Sequence, residues 1–104
     1  MKRTLSEHQR LVIEAAAEKK AFDILVLDIR SRTDLADYLI ICSGNSRVQV
    51  QAIVDAILEK TCGTPHEPSA MEGYGAGNWV ILDMVDIFVH VFQNEKGERT
   101  SDIY

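Results

Sequence analysis

The sequence predicts a small α/β domain, and three observations carry that reading. Two stretches, residues 6–20 and 46–62, repeat apolar side chains at helical spacing. Four or five short runs rich in Val, Ile, Leu and aromatic residues lie between and after them. No repeat, low-complexity tract or linker divides the 104 residues, so residues 1–104 read as one domain, able to bury roughly two thirds of its unfolded surface. The predicted order is αββαβ(β)β, two helices on four or five strands in two or three layers.

The first helix is expected from Ser6 to Lys20, with Leu5, Val12, Ala15 and Ala16 as its apolar positions. Ser6 is its N-cap, and Gln9 at the third position gives an imperfect capping box. Phe22 to Ile29 reads as a strand, with Ile24, Val26 and Asp28 facing one way and Leu25, Leu27 and Ile29 the other. Arg30 to Asp34 is a polar turn. Tyr38 to Cys42 is apolar on both faces and belongs inside a sheet. Ser43-Gly44-Asn45-Ser46 ends that strand and opens the second helix. Its stripe is Val50, Ile53, Val54, Ile57 and Leu58, opposite Arg47, Gln51, Asp55 and Glu59. Asn45 or Ser46 can cap it and Gly63 can end it.

Residues 64–70 hold both prolines and supply a short edge strand at most. Glu72 to Gly77 reads as a flexible turn. Trp79 to Leu82 and Ile87 to Phe92 form a hairpin, with Ile87, Val89 and Val91 on one face and Phe88, His90 and Phe92 on the other. The passage from 38 to 82 is expected to cross over right-handed. From Asn94 the tail is polar, frayed or weakly helical.

An apolar fraction of 46% and a charged fraction of 26% are those of a soluble globule. No apolar run approaches the ~20 residues of a membrane span, and the start lacks the apolar stretch of a signal peptide. Cytoplasmic residence is the expectation. Cys42 and Cys62 have no metal-ligand spacing and read as small apolar residues near a core, without a disulfide. The net charge of −5, with scattered basic residues, disfavours direct nucleic-acid binding. An acidic domain suits a basic partner.

The run from Trp79 to Phe92 is the most informative, because Asp83 and Asp86 interrupt two apolar strands. Ionised carboxylates are costly to bury alone, so both are expected at a hairpin turn on the sheet rim. As a metal or acid/base pair they would need further converging carboxylates. Asp28, Asp37 and Glu72 are the other candidates, and nothing in the sequence brings them together. Turn-capping carboxylates are the plainer reading. Ser43 to Ser46 sits where a helix N-terminus can hold an anion, but it matches no phosphate-binding motif and reads as a capped turn. Trp79 is core filler or, if partly exposed, an interface anchor. His90 reads as a structural histidine, and no catalytic triad can be argued from Ser43, Cys42 and His90.

Three stretches taken together carry a resemblance. They are Asp37-Tyr-Leu-Ile-Ile-Cys-Ser-Gly-Asn-Ser46 running into Gln49-Val-Gln-Ala-Ile53, then Glu72-Gly73, then Trp79-Val-Ile-Leu-Asp83-x-x-Asp86-Ile-x-Val-His90-Val-Phe92. In order and spacing they resemble the ribosomal silencing factor family, also called iojap or YbeB, from Leu5 to Arg99. The resemblance implies a mixed five-stranded sheet with flanking helices, similar to the nucleotidyltransferase fold. It implies a homodimer that binds large-subunit ribosomal protein number fourteen on the intersubunit face. Such a factor blocks joining of the small subunit and silences translation when nutrients fall, with no catalytic residue, metal or cofactor. The expected contact patch is Trp79 and Met84, with Glu72, Asp83 and Asp86 pairing with basic side chains of the ribosomal protein.

Two rival readings accompany it. One is a divergent nucleotidyl- or phosphoryl-transfer enzyme using the Ser43–Ser46 loop, although Asp83 and Asp86 are spaced by three and do not match the Asp-x-Asp pair of active members of that fold. The other is a large-subunit assembly factor, as in organellar relatives. The chain departs from the resemblance twice. Val85 stands where the family usually has glycine, and is strained if φ is positive there. The tail, Arg99-Thr-Ser-Asp-Ile-Tyr104, departs from the aromatic and Leu-Glu-x-Leu-Trp segment with which members usually end, a loss expected to weaken dimerisation or ribosome contact.

Overall fold

The computed structural model describes residues 5–94, and the expectations for the tail beyond Asn94 lie outside them. The elements are α1 (Glu7–Glu18), β1 (Phe22–Asp28), β2 (Tyr38–Gly44), α2 (Arg47–Thr61), β3 (Ala70–Glu72), β4 (Trp79–Asp83) and β5 (Ile87–Gln93). The order is the expected one, and the edge strand after the prolines is present as β3.

Ser6 caps α1 through its hydroxyl, which accepts from the Gln9 N–H at 3.1 Å, while Gln9 Oε1 accepts from the Ser6 N–H at 3.0 Å. The capping box is therefore complete, because the glutamine amide oxygen serves as a glutamate would. The helix stops short of Lys20, whose φ of 64° is left-handed. In α2 the Ser46 hydroxyl accepts from the Gln49 N–H at 3.0 Å. Val50, Ile53, Val54 and Ile57 are fully buried as the predicted stripe, and Leu58 packs at its border. Thr61 is buried as well, its hydroxyl donating to the Ile57 carbonyl at 2.8 Å. Small side chains at Ala15 and Ala16, both buried, let α1 lie close against α2.

The five strands form one sheet in the order β1-β2-β5-β4-β3. Only the β2–β5 pairing is parallel; the other three are antiparallel, so the sheet is mixed. β5, the last of the described strands, occupies the centre. The expected right-handed passage from 38 to 82 does not apply as stated, because that rule concerns parallel strands. β4 pairs antiparallel with β5, which is parallel to β2, so β4 runs against β2.

Alternation along the strands sends Ile40, Cys42, Val80, Leu82, Ile87, Val89 and Val91 into one buried cluster with the stripes of both helices. The layers are therefore two. Truncating a fully buried member such as Ile53 costs about 2–5 kcal/mol. Both cysteines are free, but only Cys42 is buried; Cys62 is exposed at the C-cap of α2, contrary to the near-core expectation. Burial pushes the Cys42 thiol up to about 12. Among the described residues, no helix is long and apolar enough to cross a membrane.

Candidate functional site

The alternate residues of the sheet make a second face that neither helix covers. The strand register aligns it in rows. Leu27, Leu39, Phe88, Asp83 and Ala70 form one row across all five strands, and Leu25, Ile41, His90, Ile81 and Glu72 the next. A bulge at Asp23, whose φ is 52°, shifts the start of β1 so that Phe22 pairs with Ser43, in line with Phe92 and Trp79. The face is thus apolar in the middle, with carboxylates toward the β3–β4 side.

Trp79 is 48% exposed on this face. Its ring stacks on Phe92 with centroids 5.3 Å apart, and its indole N–H donates to His90 Nδ1 at 3.2 Å. The bond sets the neutral His90 as the Nε2–H tautomer, and burial lowers its pKa below the usual 6.5. Beside this cluster a groove of about 280 Å³ is lined by Ala70, Met71, Glu72, Ile81, Asp83, Phe88 and His90. Its floor is apolar and two carboxylates stand on its walls. Such a groove suits a long basic side chain, with its stem on Ile81 and Phe88 and its charge near Glu72 or Asp83.

The glycine-rich segment before Trp79 is tied down rather than loose. The Gly77 N–H donates to the Gly73 carbonyl at 3.0 Å. Gln51 Nε2 donates to the Tyr74 carbonyl at 2.8 Å, and the Tyr74 hydroxyl donates to Asp55 at 2.8 Å. These bonds to α2 replace the flexible turn that composition implied. At Gly73, φ is +85° and an added Cβ would meet the Trp79 carbonyl oxygen at 2.2 Å, so only glycine lets the chain pass there.

The expected site residues separate into three groups. Glu72, Trp79 and Asp83 share the open face. Met84 does not join them: it is 1% exposed and belongs to the core cluster, so it is corrected from contact residue to core residue. Asp86 sits at the rim, where its Oδ1 accepts from Nδ1 of His8 at 2.9 Å. His8 had no place in the sequence reading, because 78 residues separate it from its partner. Between the two aspartates, the Val85 N–H donates to Asp83 Oδ1 at 3.0 Å and the Asp86 N–H to the Met84 carbonyl at 2.9 Å. Val85 itself has φ of 73°, the left-handed centre of a tight three-residue turn that a β-branched residue enters only under strain.

The Ser43–Ser46 loop is occupied by its own neighbours. The Asn45 N–H donates to Gln49 Oε1 at 2.6 Å, the Gln49 N–H is capped by Ser46, and Gln49 Nε2 donates to the Lys19 and Lys20 carbonyls. Among the described residues no cluster of three or more His, Cys, Asp or Glu has the arrangement of a metal site.

Known proteins sharpen this picture. The family model described as "Ribosomal silencing factor during starvation" matches residues 2–100. Ribosomal silencing factor RsfS of Bacillus subtilis is 39% identical over 94 residues, which cover 88% of this chain and 80% of that protein. The protein of the same name from Halalkalibacterium halodurans is 34% identical over 87 residues, covering 84% and 74%. A crystal structure of a Chromobacterium violaceum protein superposes with a TM-score of 0.81 at 32% identity, over 88% of this chain and 76% of that one.

Proposed function

The chain belongs to the ribosomal silencing factor family, and from that premise we propose that it is a cytoplasmic, non-catalytic factor that occupies a protein of the large ribosomal subunit and keeps the small subunit from joining. The partner we assign is large-subunit ribosomal protein number fourteen on the intersubunit face, and the setting is nutrient limitation. An obstructor works by occupancy and bulk; it needs a surface and no reactive centre.

The observation that supports this most is the uncovered sheet face. It presents Trp79 beside Phe92 and Ile81, with Glu72 and Asp83 on a neighbouring groove. Half-exposed tryptophans in apolar surroundings make strong interface anchors, and acidic walls complement a basic ribosomal protein. Asp86, at the rim, adds a third carboxylate to the proposed contact. The same face gives a second copy a surface to pack on, in keeping with a homodimer in the free state.

The test is sedimentation of the purified protein with isolated large subunits, small subunits and joined ribosomes at two salt concentrations. The expected result is salt-sensitive co-migration with large subunits alone and a fall in joined ribosomes. Trp79→Ala should weaken that association about thirtyfold, the effect of losing a hot-spot residue, and Asp83→Lys should slow its formation. Equal binding by both folded variants would remove the open face from the interface. No association of the wild type with any particle would remove the ribosomal reading.

A further inference from the structure

We propose that His8 is a positioning residue, holding one oxygen of the Asp86 carboxylate so that the other faces a cationic side chain of the ribosomal partner. The inference rests on the ribosomal reading above and adds a residue on another element.

His8 lies in the first turn of α1 and is 2% exposed, yet its Nε2 has no hydrogen-bond partner among the described residues. Leaving a buried polar atom unmatched is unfavourable and calls for a compensating role. The compensation visible around this ring is at the other nitrogen, where Nδ1 meets Asp86 Oδ1 at 2.9 Å. With Asp86 ionised, the neutral ring must carry its proton on Nδ1, and the bare nitrogen is the buried Nε2. His66, from the segment after α2, stacks on the ring with centroids 4.4 Å apart and planes 20° from parallel. Stacking fixes the ring plane, and the ring fixes the carboxylate.

The backbone of Asp86 is held as firmly. Its N–H donates to the Met84 carbonyl, and its own carbonyl accepts from the Asp37 N–H at 2.8 Å and the Tyr38 N–H at 3.2 Å. The side chain nonetheless stays 53% exposed, and among the described residues its second oxygen makes no hydrogen bond. An exposed aspartate normally samples several rotamers and loses that freedom on pairing. Here the freedom is already gone, so a partner's cation meets a carboxylate set in place.

The experiment has two arms. In the free protein, ¹⁵N NMR at pH 7 should show His8 as the Nδ1–H tautomer; an Nε2–H tautomer overturns the proposal. In the second arm, binding to isolated large subunits is measured for His8→Phe, His8→Asn, Asp86→Asn and the His8→Phe/Asp86→Asn double variant, each first shown by its melting curve to be folded. His8→Phe keeps the ring shape without the donor and should weaken binding about tenfold, within the range for residues coupled in one network. His8→Asn puts an amide N–H where Nδ1 was and should restore binding to within about twofold. The double variant should bind no more weakly than Asp86→Asn. Unchanged binding by folded His8→Phe, or losses that multiply in the double variant, would overturn it. If His8→Phe does not fold, His8→Gln, whose amide lies at the Nε2 end, replaces it with the same expectations. Wild-type binding that Asp86→Asn leaves intact defeats this inference alone; a wild type that binds no large subunits defeats it together with the function it rests on.

Discussion

The indole N–H of Trp79 donates to Nδ1 of His90 across the β4–β5 pair. Because the acceptor is a titratable nitrogen, the bond has an acid limit. Protonated His90 would turn an N–H toward another N–H and break it. Burial holds the His90 pKa below 6.5, so the change falls in acid. Trp79 is the sole tryptophan, and its fluorescence should change in one step centred below pH 6.5 and lose that step in His90→Phe. A step centred above 6.5 would contradict the hydrogen bond.

Stability should follow two histidines, the buried His8 and the half-buried His90. Burial is the main cause lowering the His8 pKa, with the Asp86 charge opposing it and His66 adding to it; burial alone lowers that of His90. Both are depressed from 6.5, so between the folded values and 6.5 the unfolded chain binds more protons than the folded one. The stability contribution is complete above 6.5 and is lost as pH falls through that window. Urea midpoints measured from pH 8 to pH 5 should be level at first and then decline, and His8→Phe should flatten part of the decline. Rising stability below pH 6.5 would refute the assignment.

Val85→Gly should stabilise the fold. A non-glycine residue in left-handed backbone costs roughly 1–2 kcal/mol, and glycine returns part of that through the freedom of its unfolded chain. The net expectation is a gain of about 1 kcal/mol, read as a higher urea midpoint with the slope unchanged. Val85 is 68% exposed, so little burial is given up in exchange. A lower midpoint would mean that the valine side chain contributes contacts that outweigh the strain.

Gly73→Ala and Gly63→Ala separate two kinds of glycine requirement. Both residues have positive φ, but nothing lies within 4 Å of a Cβ at Gly63, whereas a Cβ at Gly73 strikes the Trp79 backbone. Gly63→Ala should cost about 1 kcal/mol, the backbone penalty alone. Gly73→Ala should cost more than 2 kcal/mol, in the range of strain combined with overpacking, and should disturb Trp79 fluorescence. Equal losses at the two positions would show that the segment shifts freely.

What was legible in the sequence was whatever depends on neighbours along the chain. The Val50–Ile57 stripe, the Ser46 cap and the alternation from Ile87 to Phe92 each follow from a local period, and each stands in the structure. At Val85 the family resemblance posed strain as a condition on positive φ, and the φ of 73° meets that condition. What was hidden depends on distant partners. Met84 was expected beside Trp79 in the contact patch, yet the turn aims it inward, into the core cluster. The Glu72–Gly77 segment looked loose from composition, but Gln51 and Asp55 on α2 tie it down. No local pattern announces that His8 meets Asp86, or that β2 lies beside β5. Of the candidate face, Glu72, Trp79, Asp83 and His90 could be placed from their strands, while His8 and His66, which meet beside Asp86, did not show.

The central place of β5 also dictates an order of events during synthesis. β2 and β4 have no pairing with one another; each reaches the sheet only through β5. A chain emerging N-terminus first can form the β1–β2 hairpin and both helices, but it has no continuous sheet until residues 87–93 are available. The long-range parallel pairing forms last, at the entropic cost of closing the longest loop in the sheet. Until then Ile40, Val80 and the α2 stripe lack part of their cover, and the half-made chain is the form in which this protein is most prone to aggregate.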